Sequence, residues 1–231
     1  LGIQGIADYA RLFGMGKPLG IELDHEATGL IPDAAWKKRV LGAPWQAGET
    51  LSVVIGQGYV TATPLQMAVV AATVANGGTV YRPRLVKQAM SADGETVTDY
   101  APEVLHETHI RPETMRLVQA GMMDVVNGRG GTGAKAKLPD ILVAGKTGTS
   151  QVISGTRGKG KVMARQFRDH AWFIAFAPAD APEVAVACII EHAGAGGGAV
   201  AAPTVRAVLD AYFNITRRDR NPEVQAHVHV R

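Results

Sequence analysis

The sequence has 231 residues, 46% of them hydrophobic, so the chain can bury a core in one large or two small domains. Its 24 Lys and Arg residues against 21 Asp and Glu residues give a net charge of only +3, and 6% of its residues are aromatic. A charge this mild, without basic residues interleaved with aromatic ones, argues against a nucleic-acid partner.

The first half of the sequence predicts helices separated by irregular segments. Apolar residues recur every three or four positions over residues 3–13, which predicts an amphipathic helix. Residues 16–50 are rich in glycine, proline and charge, and we expect an irregular segment with one short helix after Pro32. Residues 51–60 are apolar and β-branched up to a Gly-Gln-Gly break. Thr63, as the N-cap of a Thr-Pro pair, begins a long central helix.

The second half predicts helices around an antiparallel sheet. Residues 79–86 and 96–110 are expected to be extended, and helices are expected at residues 112–126 and 203–213. Three apolar strands lie between these helices, and a short proline-containing turn joins the last two into an antiparallel hairpin. This order predicts an α+β fold with an antiparallel sheet flanked by helices. The three strands are residues 143–151, 170–177 and 183–191.

The tail, the lone cysteine and the apolar stretches bound the domain organisation. Residues 214–231 are polar and are expected to form a disordered tail, which leaves residues 1–213 as a single domain portion. Cys188 excludes an internal disulfide, and its apolar neighbours predict a buried, inert thiol. The longest apolar stretches, such as residues 68–75, fall short of the roughly 20 residues that cross a bilayer, so no membrane anchor is expected in this chain.

Three clusters of acidic and histidine residues lack the pattern of a metal site. The Asp-His-Glu triplet at 24–26 lies in an irregular segment, and the His-x-His pair at 227–229 lies in the polar tail. Solvated side chains are the favoured interpretation of both. The Asp-His pair at 169–170 opens a strand, where adjacent side chains point to opposite faces. We expect that pair to have a strand-end role, and we expect no metal ion.

Two glycine-containing segments indicate nucleotide binding only weakly. Residues 194–199 fit G-x-G-x-x-A between a strand and a helix, but no second strand ending in an acidic residue follows. A flexible turn that folds the last helix back on the sheet is the favoured interpretation. Gly-Lys-Thr at 145–147 resembles the end of a phosphate-binding loop, but Asp140 stands where that loop needs glycine. We therefore expect no cofactor.

The stretch VAGKTGTSQV at 143–152 places Lys146 and Thr147 between two glycines in a segment that otherwise predicts a strand. Glycine in a strand marks a bulge or a close approach by a ligand or another segment. An edge without bulky side chains lets an extended peptide pair with the backbone, and an ammonium beside a hydroxyl suits a carboxylate. These local residues favour equally a peptide-carboxylate site and a surface strand whose lysine blunts an edge.

Lys-Thr-Gly at 146–148 is also the third motif of penicillin-binding proteins and serine β-lactamases. Its surroundings resemble the penicillin-binding protein 2 family of cell-elongation transpeptidases, in that family's order, over residues 1–213. The resemblance implies the C-terminal portion of a penicillin-binding-protein or serine-β-lactamase-like transpeptidase fold. The stretches that carry it are PWQAGETLSVVIGQGYVTATPLQMA (44–68), GKTGTSQV (145–152), RDHAWFIAFAP (168–178) and EVAVACIIEHAG (183–194).

The family's nucleophile motif, Ser-x-x-Lys, and its second motif, Ser-x-Asn, do not occur in these 231 residues. None of the four serines has Lys three positions on or Asn two positions on. In the family both motifs precede the helix that matches residues 3–13. The resemblance therefore implies that this chain is the C-terminal portion of a transpeptidase domain, cut just after the second motif, and we expect it to be inactive alone. The four serines are Ser52, Ser91, Ser150 and Ser154.

The resemblance implies acyl transfer from D-Ala-D-Ala stem peptides, through a serine ester, to an amine of a neighbouring strand. It implies that Lys146 supplies positive charge near the serine and the substrate carboxylate, and that Thr147 hydrogen-bonds this carboxylate. Gly148 would permit close approach, and the Thr149 backbone N–H would form half of an oxyanion hole. It further implies β-lactams as ligands, a membrane glycosyltransferase as partner, and a location on the periplasmic face of the inner membrane.

Two other functions stay open at this stage. One is a non-catalytic remnant or fragment of the same fold that keeps a weak peptide site. The coding sequence upstream would show whether the chain is such a remnant or part of a truncated active enzyme. The other is a dinucleotide-binding oxidoreductase, which would be excluded if the protein does not bind NAD. The basic segment 153–168 is expected to border the groove beside Lys146.

Overall fold

The computed structural model describes residues 1–152 and 164–220, with side chains described through Asn214. Its contacts divide the chain into two compact units, Leu1–Gln119 and a second that begins at Ala120. Within the described residues, none of the helices has both the length and the apolar run needed to cross a bilayer. The helices are α1 (Ile3–Leu12), α2 (Ala34–Leu41), α3 (Ala47–Val54), α4 (Pro64–Ala75), α5 (Pro112–Asn127) and α6 (Gly197–Arg220).

The strands form three antiparallel sheets. They are β1 (Thr79–Tyr81), β2 (Gln88–Met90), β3 (Thr96–Asp99), β4 (Val104–Glu107), β5 (Ala144–Ser150), β6 (His170–Ala177) and β7 (Val184–Ile190). The first unit has two two-stranded sheets, with orders β1-β4 and β2-β3. Strands β1, β3 and β4 lie within the segments predicted to be extended, whereas β2 lies between those segments and was not predicted. The sheet of the second unit has three strands in the order β5-β6-β7, so the predicted antiparallel arrangement is confirmed.

The central helix of the first unit, α4, begins where the sequence predicts. Thr63 Oγ1 accepts a hydrogen bond from the Gln66 backbone N–H, and Gln66 Oε1 accepts one from the Thr63 N–H, each at 3.0 Å. The fully buried Gln66 amide also donates to the carbonyl oxygens of Lys17 (3.0 Å) and Thr28 (2.8 Å). This capping box therefore ties the irregular segment before it to the start of the helix.

Helix α3 was not predicted. It begins inside the segment expected to be irregular and ends at Val54, just before the Gly-Gln-Gly break. Gln46 and Glu49 form its capping box, in which Glu49 Oε2 accepts from the Gln46 N–H at 2.6 Å. Because its eight residues span barely two turns, the apolar run at its end looks like a strand in the sequence.

The interpretation of the 24–26 triplet as solvated side chains is wrong for Glu26. Its carboxylate accepts hydrogen bonds from three successive backbone N–H groups, those of Leu19 (2.6 Å), Gly20 (2.8 Å) and Ile21 (3.3 Å). A carboxylate that collects backbone donors in this way fixes the loop around it. The residue is thus structural, and its spacing from its partners leaves no helix or strand periodicity to detect.

Lys37 and Glu49 join α2 and α3 through an ion pair of 2.5 Å in which Lys37 is buried. Glu49 also accepts from the Gln46 N–H and from the Tyr59 hydroxyl (3.4 Å). The Lys37 ammonium, followed by the Gln46 N–H, lowers the pKa of the Glu49 carboxyl below its ordinary value. The ionised form of Glu49 is therefore favoured in the folded chain.

The second unit packs α6 against one face of the sheet. The side chains of Phe173 on β6 and of Val205 and Leu209 on α6 are fully buried in this core. Cys188 on β7 packs against it half-buried, and burial raises the pKa of its thiol, which suits the inert role predicted for it. Phe213, near the end of α6, is also in this core.

Helix α6 begins six residues before the predicted start at Pro203, which lies inside the helix. It continues through Arg220, so residues 214–220, which the sequence assigns to the tail, are helical; residues 221–231 lie outside the described part. A Cβ built on Gly197 would lie 1.9 Å from the Trp172 carbonyl oxygen, and one on Gly198 would lie 2.0 Å from that of Thr132. These glycines therefore form the start of α6, where the helix backbone contacts the backbone of the neighbouring segments directly.

Replacing Gly197 by Ala should destabilise the second unit by about 1–3 kcal/mol, because the new methyl group overlaps backbone that cannot rotate away. Gly121→Ala is the matched control, since Gly121 lies inside α5 and its Cβ would meet no atom within 4 Å. That control should be neutral or stabilising by about 0.5–1 kcal/mol. Urea unfolding measures both, and equal stability of the two variants would contradict the packing role of Gly197.

The first unit should lose stability on acidification partly through Glu49. Because the pKa of this carboxyl is lowered in the folded chain, its contribution is complete above the unfolded-state pKa of about 4.3 and is lost as pH falls through the lower folded-state value. Glu49→Gln should therefore be less stable at neutral pH and should flatten the fall in Tm below about pH 5. The exposed Glu113→Gln serves as control, and an unchanged slope in Glu49→Gln would contradict the assignment.

Candidate functional site

Strand β5 carries the Lys-Thr-Gly motif along an edge of the sheet. Among the described residues its sheet partner is β6, with Lys146 opposite Ile174 and Gly148 opposite Trp172. Successive side chains of a strand leave opposite faces, so Lys146 shares a face with Ile174. Thr147 and the exposed Thr149 leave the other face. The motif thus places its ammonium and its hydroxyls on either side of one strand edge.

The two glycines of β5 are required by packing within the protein. A Cβ built on Gly145 would lie 2.6 Å from the Phe173 ring and 3.0 Å from the Ile174 carbonyl oxygen. A Cβ on Gly148 would lie 3.1 Å from the Trp172 Cβ. Glycine in a strand indicates that another segment approaches closely, and at these two positions that segment is the neighbouring strand β6.

Polar contacts hold the side chains of β5 in place. Lys146 Nζ donates to the Thr147 carbonyl oxygen at 2.5 Å while the side chain stays exposed. Thr147 Oγ1 lies 3.1 Å from Thr132 Oγ1, so the two hydroxyls are hydrogen-bonded. Trp172 Nε1 donates to Ser150 Oγ at 3.3 Å, so this serine next to Thr149 already accepts a hydrogen bond.

Thr132 was not singled out by the sequence. It lies in the glycine-rich loop after α5, where one threonine among glycines follows no recognisable pattern. The structure brings its hydroxyl to that of Thr147, fifteen positions along the chain. Only the fold of the loop, which passes beside β5, makes this contact visible.

The first turn of α6 lies over the hydroxyl side of β5. A Cβ on Gly198 would lie 3.3 Å from Thr147 Cγ2, and one on Gly196 would lie 3.7 Å from Thr149 Oγ1. The start of a helix carries positive potential, so it favours negative charge near these hydroxyls. The glycines at 196–198 thus lie against the sheet and the loop before it at the start of α6, and this close packing accounts for them.

The 169–170 pair lies at the start of β6, as predicted. His170 Nδ1 accepts a hydrogen bond from the His192 backbone N–H at 2.9 Å, and the two rings meet edge to face with centroids 4.7 Å apart. Asp169 is buried, and its carbonyl oxygen accepts from the Gly194 N–H at 3.1 Å. These contacts hold the turn after β7 against the start of β6, which is a strand-end role.

Within residues 1–152 and 164–220, no three histidine, cysteine or acidic side chains are grouped so that they could hold a metal ion. The 227–229 histidines lie outside this part of the chain. Most of the basic segment 153–168, expected to border the groove beside Lys146, also lies outside it, since residues 153–163 are not described.

Residues 1–210 match the family model described as the penicillin binding protein transpeptidase domain. The chain belongs to this family. Among curated relatives, the peptidoglycan D,D-transpeptidase MrdA of Haemophilus influenzae is 38% identical over 98% of this chain, and that of Escherichia coli is 35% identical over 98%. The chain spans about a third, 35%, of the length of either relative.

Solved penicillin-binding proteins share the fold of this transpeptidase-domain chain. The Pseudomonas aeruginosa protein PBP2, in complex with WCK 5153, matches with a TM-score of 0.74 and 38% identity, over 92% of this chain and 43% of that one. Penicillin-binding protein A of Mycobacterium tuberculosis, as a penicillin G acyl-enzyme complex, matches with a TM-score of 0.70 and 30% identity, over 92% and 44%. The predicted family and the α+β transpeptidase fold are both confirmed.

Gly145→Ala should destabilise the transpeptidase-domain sheet by about 1–3 kcal/mol, because its methyl group would overlap the buried Phe173 ring. Gly148→Ala should cost less, since its nearest contact, at 3.1 Å, can relax by a few tenths of an ångström. Thermal unfolding of the two variants gives the comparison. A larger loss of stability for Gly148→Ala than for Gly145→Ala would contradict this packing of β5 on β6.

Proposed function

We propose that this chain forms the Lys-Thr-Gly wall of a peptidoglycan D,D-transpeptidase that binds penicillin. The observation that carries the proposal is the edge of β5, where Lys146 and Thr147 are presented beside the start of α6 in a chain of the transpeptidase family. The curated relatives named peptidoglycan D,D-transpeptidase support the activity. The chain would act as the C-terminal portion of the longer transpeptidase domain.

The proposed reaction is acyl transfer in two steps. A serine Oγ attacks the penultimate D-Ala carbonyl carbon of a stem peptide, the peptide C–N bond breaks, and the leaving D-Ala nitrogen takes a proton. An amine nitrogen of a neighbouring strand then attacks the ester carbon, the Ser–acyl bond breaks, and the proton of the amine returns to the serine oxygen. The 231 residues contain no Ser-x-x-Lys, so in this proposal the nucleophile belongs to residues outside this sequence.

Residues of β5 have distinct roles in this proposal. Lys146, exposed beside the edge, supplies positive charge to the serine and to the substrate carboxylate. The Thr147 hydroxyl, oriented by Thr132, hydrogen-bonds that carboxylate. Gly148 keeps the edge narrow, and the Thr149 backbone N–H contributes to an oxyanion hole for the tetrahedral intermediate.

The proposed setting is the periplasmic face of the inner membrane, where the whole protein meets stem peptides and works beside a membrane glycosyltransferase. Penicillin-binding protein A of Mycobacterium tuberculosis has been solved as acyl-enzyme complexes with penicillin G and with imipenem, which supports β-lactams as ligands of the whole protein. The Helicobacter pylori relative PBP2 is solved in complex with MreC, which supports a role within a larger assembly.

Fluorescent penicillin separates an active transpeptidase from a non-catalytic remnant. The 231-residue chain alone should show no covalent band on a denaturing gel, because none of its serines has a lysine at the spacing that activates the nucleophile. The same domain extended upstream through Ser-x-x-Lys and Ser-x-Asn should be labelled. In that protein Lys146→Ala should slow labelling by about 100-fold or more, the scale of losing one electrostatic stabiliser.

Lys137→Ala is the matched control for this experiment, since Lys137 is an exposed lysine of the same unit that is not part of β5. It should label at the rate of the unchanged protein. Strong labelling of the short chain would mean that the nucleophile lies within the 231 residues. An extended domain that never labels would favour the remnant.

A further inference from the structure

A surface cleft of about 450 Å³ lies at the end of α5, beside the glycine-rich loop that leads to β5. It is lined by Gly121, Asp124 and Arg129, by the glycines of the loop at 128–131, and by Thr132. Its volume is within the range of small-molecule sites in proteins. None of the roles described for β5 involves this space.

The glycine at position 121 points to a use for the open space. Gly121 lies inside α5, where glycine costs about 1 kcal/mol relative to alanine. Two other glycines that line the cleft have a local structural reason: a Cβ on Gly131 would lie 2.4 Å from the Val125 carbonyl oxygen, and Gly130 has a φ of +80°. At Gly121 a Cβ would meet no atom within 4 Å, so packing gives no reason for it. Because Gly121 lines the cleft, a larger side chain at this position would enter the open space.

The charged side chains of the cleft have opposite signs. Asp124 lies on the exposed side of α5, and Arg129 lies on the loop that follows it. Neither forms an ion pair within residues 1–152 and 164–220. A carboxylate and a guanidinium that share a cleft without pairing suit a ligand that carries both an ammonium and a carboxylate group.

Thr132 connects this cleft to the Lys-Thr-Gly edge. It lines the cleft, and its hydroxyl lies 3.1 Å from the Thr147 hydroxyl. We propose that the cleft is a subsite for a zwitterionic α-amino-acid group of the peptidoglycan peptide bound along β5. Asp124 receives the ammonium group and Arg129 receives the carboxylate. The role in peptidoglycan chemistry rests on the proposed function, whereas the recognition of a zwitterion does not.

Direct binding tests the recognition without any catalysis. Free D-alanine carries both charges, D-alaninamide only the ammonium, and N-acetyl-D-alanine only the carboxylate, and each is titrated into the isotope-labelled whole protein by NMR. D-alanine should shift the backbone amide signals of residues 124–132 at lower concentration than either analogue. Asp124→Asn and Arg129→Gln should each weaken D-alanine binding by about tenfold or more, the scale of one lost charge-assisted hydrogen bond.

The cleft-filling variant Gly121→Phe should abolish this binding, because its side chain enters the open space. Gly48→Phe is the matched control, since Gly48 also lies in a helix, α3, and its Cβ also meets no atom within 4 Å. The control should bind D-alanine normally. Equal binding of D-alanine and its two singly charged analogues, or unchanged binding by Gly121→Phe, would overturn the proposal.

Two kinetic arms identify which peptide supplies the zwitterion. The first arm compares acylation kcat/KM for two D-Ala-D-Ala peptides, one with a zwitterionic side chain and one with that side chain capped. If the acyl donor supplies the zwitterion, Gly121→Phe lowers kcat/KM for the first peptide more than for the second. If the acceptor supplies it, the variant lowers the ratio of transfer to hydrolysis for acyl-enzyme offered a free D-amino acid. Neither ratio changing would overturn the subsite. If the protein without substitutions forms no acyl-enzyme, the proposed function is contradicted. The NMR titration would then still test whether the cleft binds a zwitterion.

Discussion

The contact on which the second unit depends is backbone against backbone, where the first turn of α6 meets β6 and the loop after α5. Gly197 and Gly198 leave no room for a Cβ, with the Trp172 and Thr132 carbonyl oxygens about where it would be. Burial of apolar residues such as Leu209 packs α6 against the sheet, but the hydrophobic effect does not fix the position of the helix start. The distance between the helix start and the strands is set by Gly197 and Gly198, which have no side chains.

This close contact determines the electrostatic potential at the edge of β5. The helix start, with its positive potential, lies against Thr147 and Thr149, and the Lys146 ammonium leaves the opposite face of the same strand. Two independent sources of positive potential therefore flank one narrow edge. Such an arrangement favours an extended ligand with a carboxylate, which is what the proposed acyl-transfer function requires of this strand.

Local signals were sufficient where one feature determined the structure. The Thr-Pro pair at Thr63 predicts the start of α4, and unbroken apolar runs predict β6 and β7. The start of α6 was missed because proline at position 203 imitates a first turn, whereas the glycines before it look like a flexible turn. Their real role is a close contact with segments distant in sequence, which no local pattern encodes.

The candidate site divides in the same way. Lys146, Thr147 and Gly148 were predicted as site residues because they form a Lys-Thr-Gly motif, and Thr149 because it follows that motif directly. Thr132 and the cleft beside it were not found, because their proximity to β5 is a property of the folded loop. Packing also supplies a reason for Gly145 that the motif does not, since Phe173 fills the place of its side chain.

Binding of the substrate carboxylate at the edge of β5 is tested most directly by a crystal structure of the whole protein acylated by penicillin G. We expect the penicillin carboxylate to accept a hydrogen bond from Thr147 Oγ1 at about 2.7–3.0 Å. An acyl-enzyme in which that carboxylate lies away from β5, beyond hydrogen-bond reach of Thr147, would contradict it.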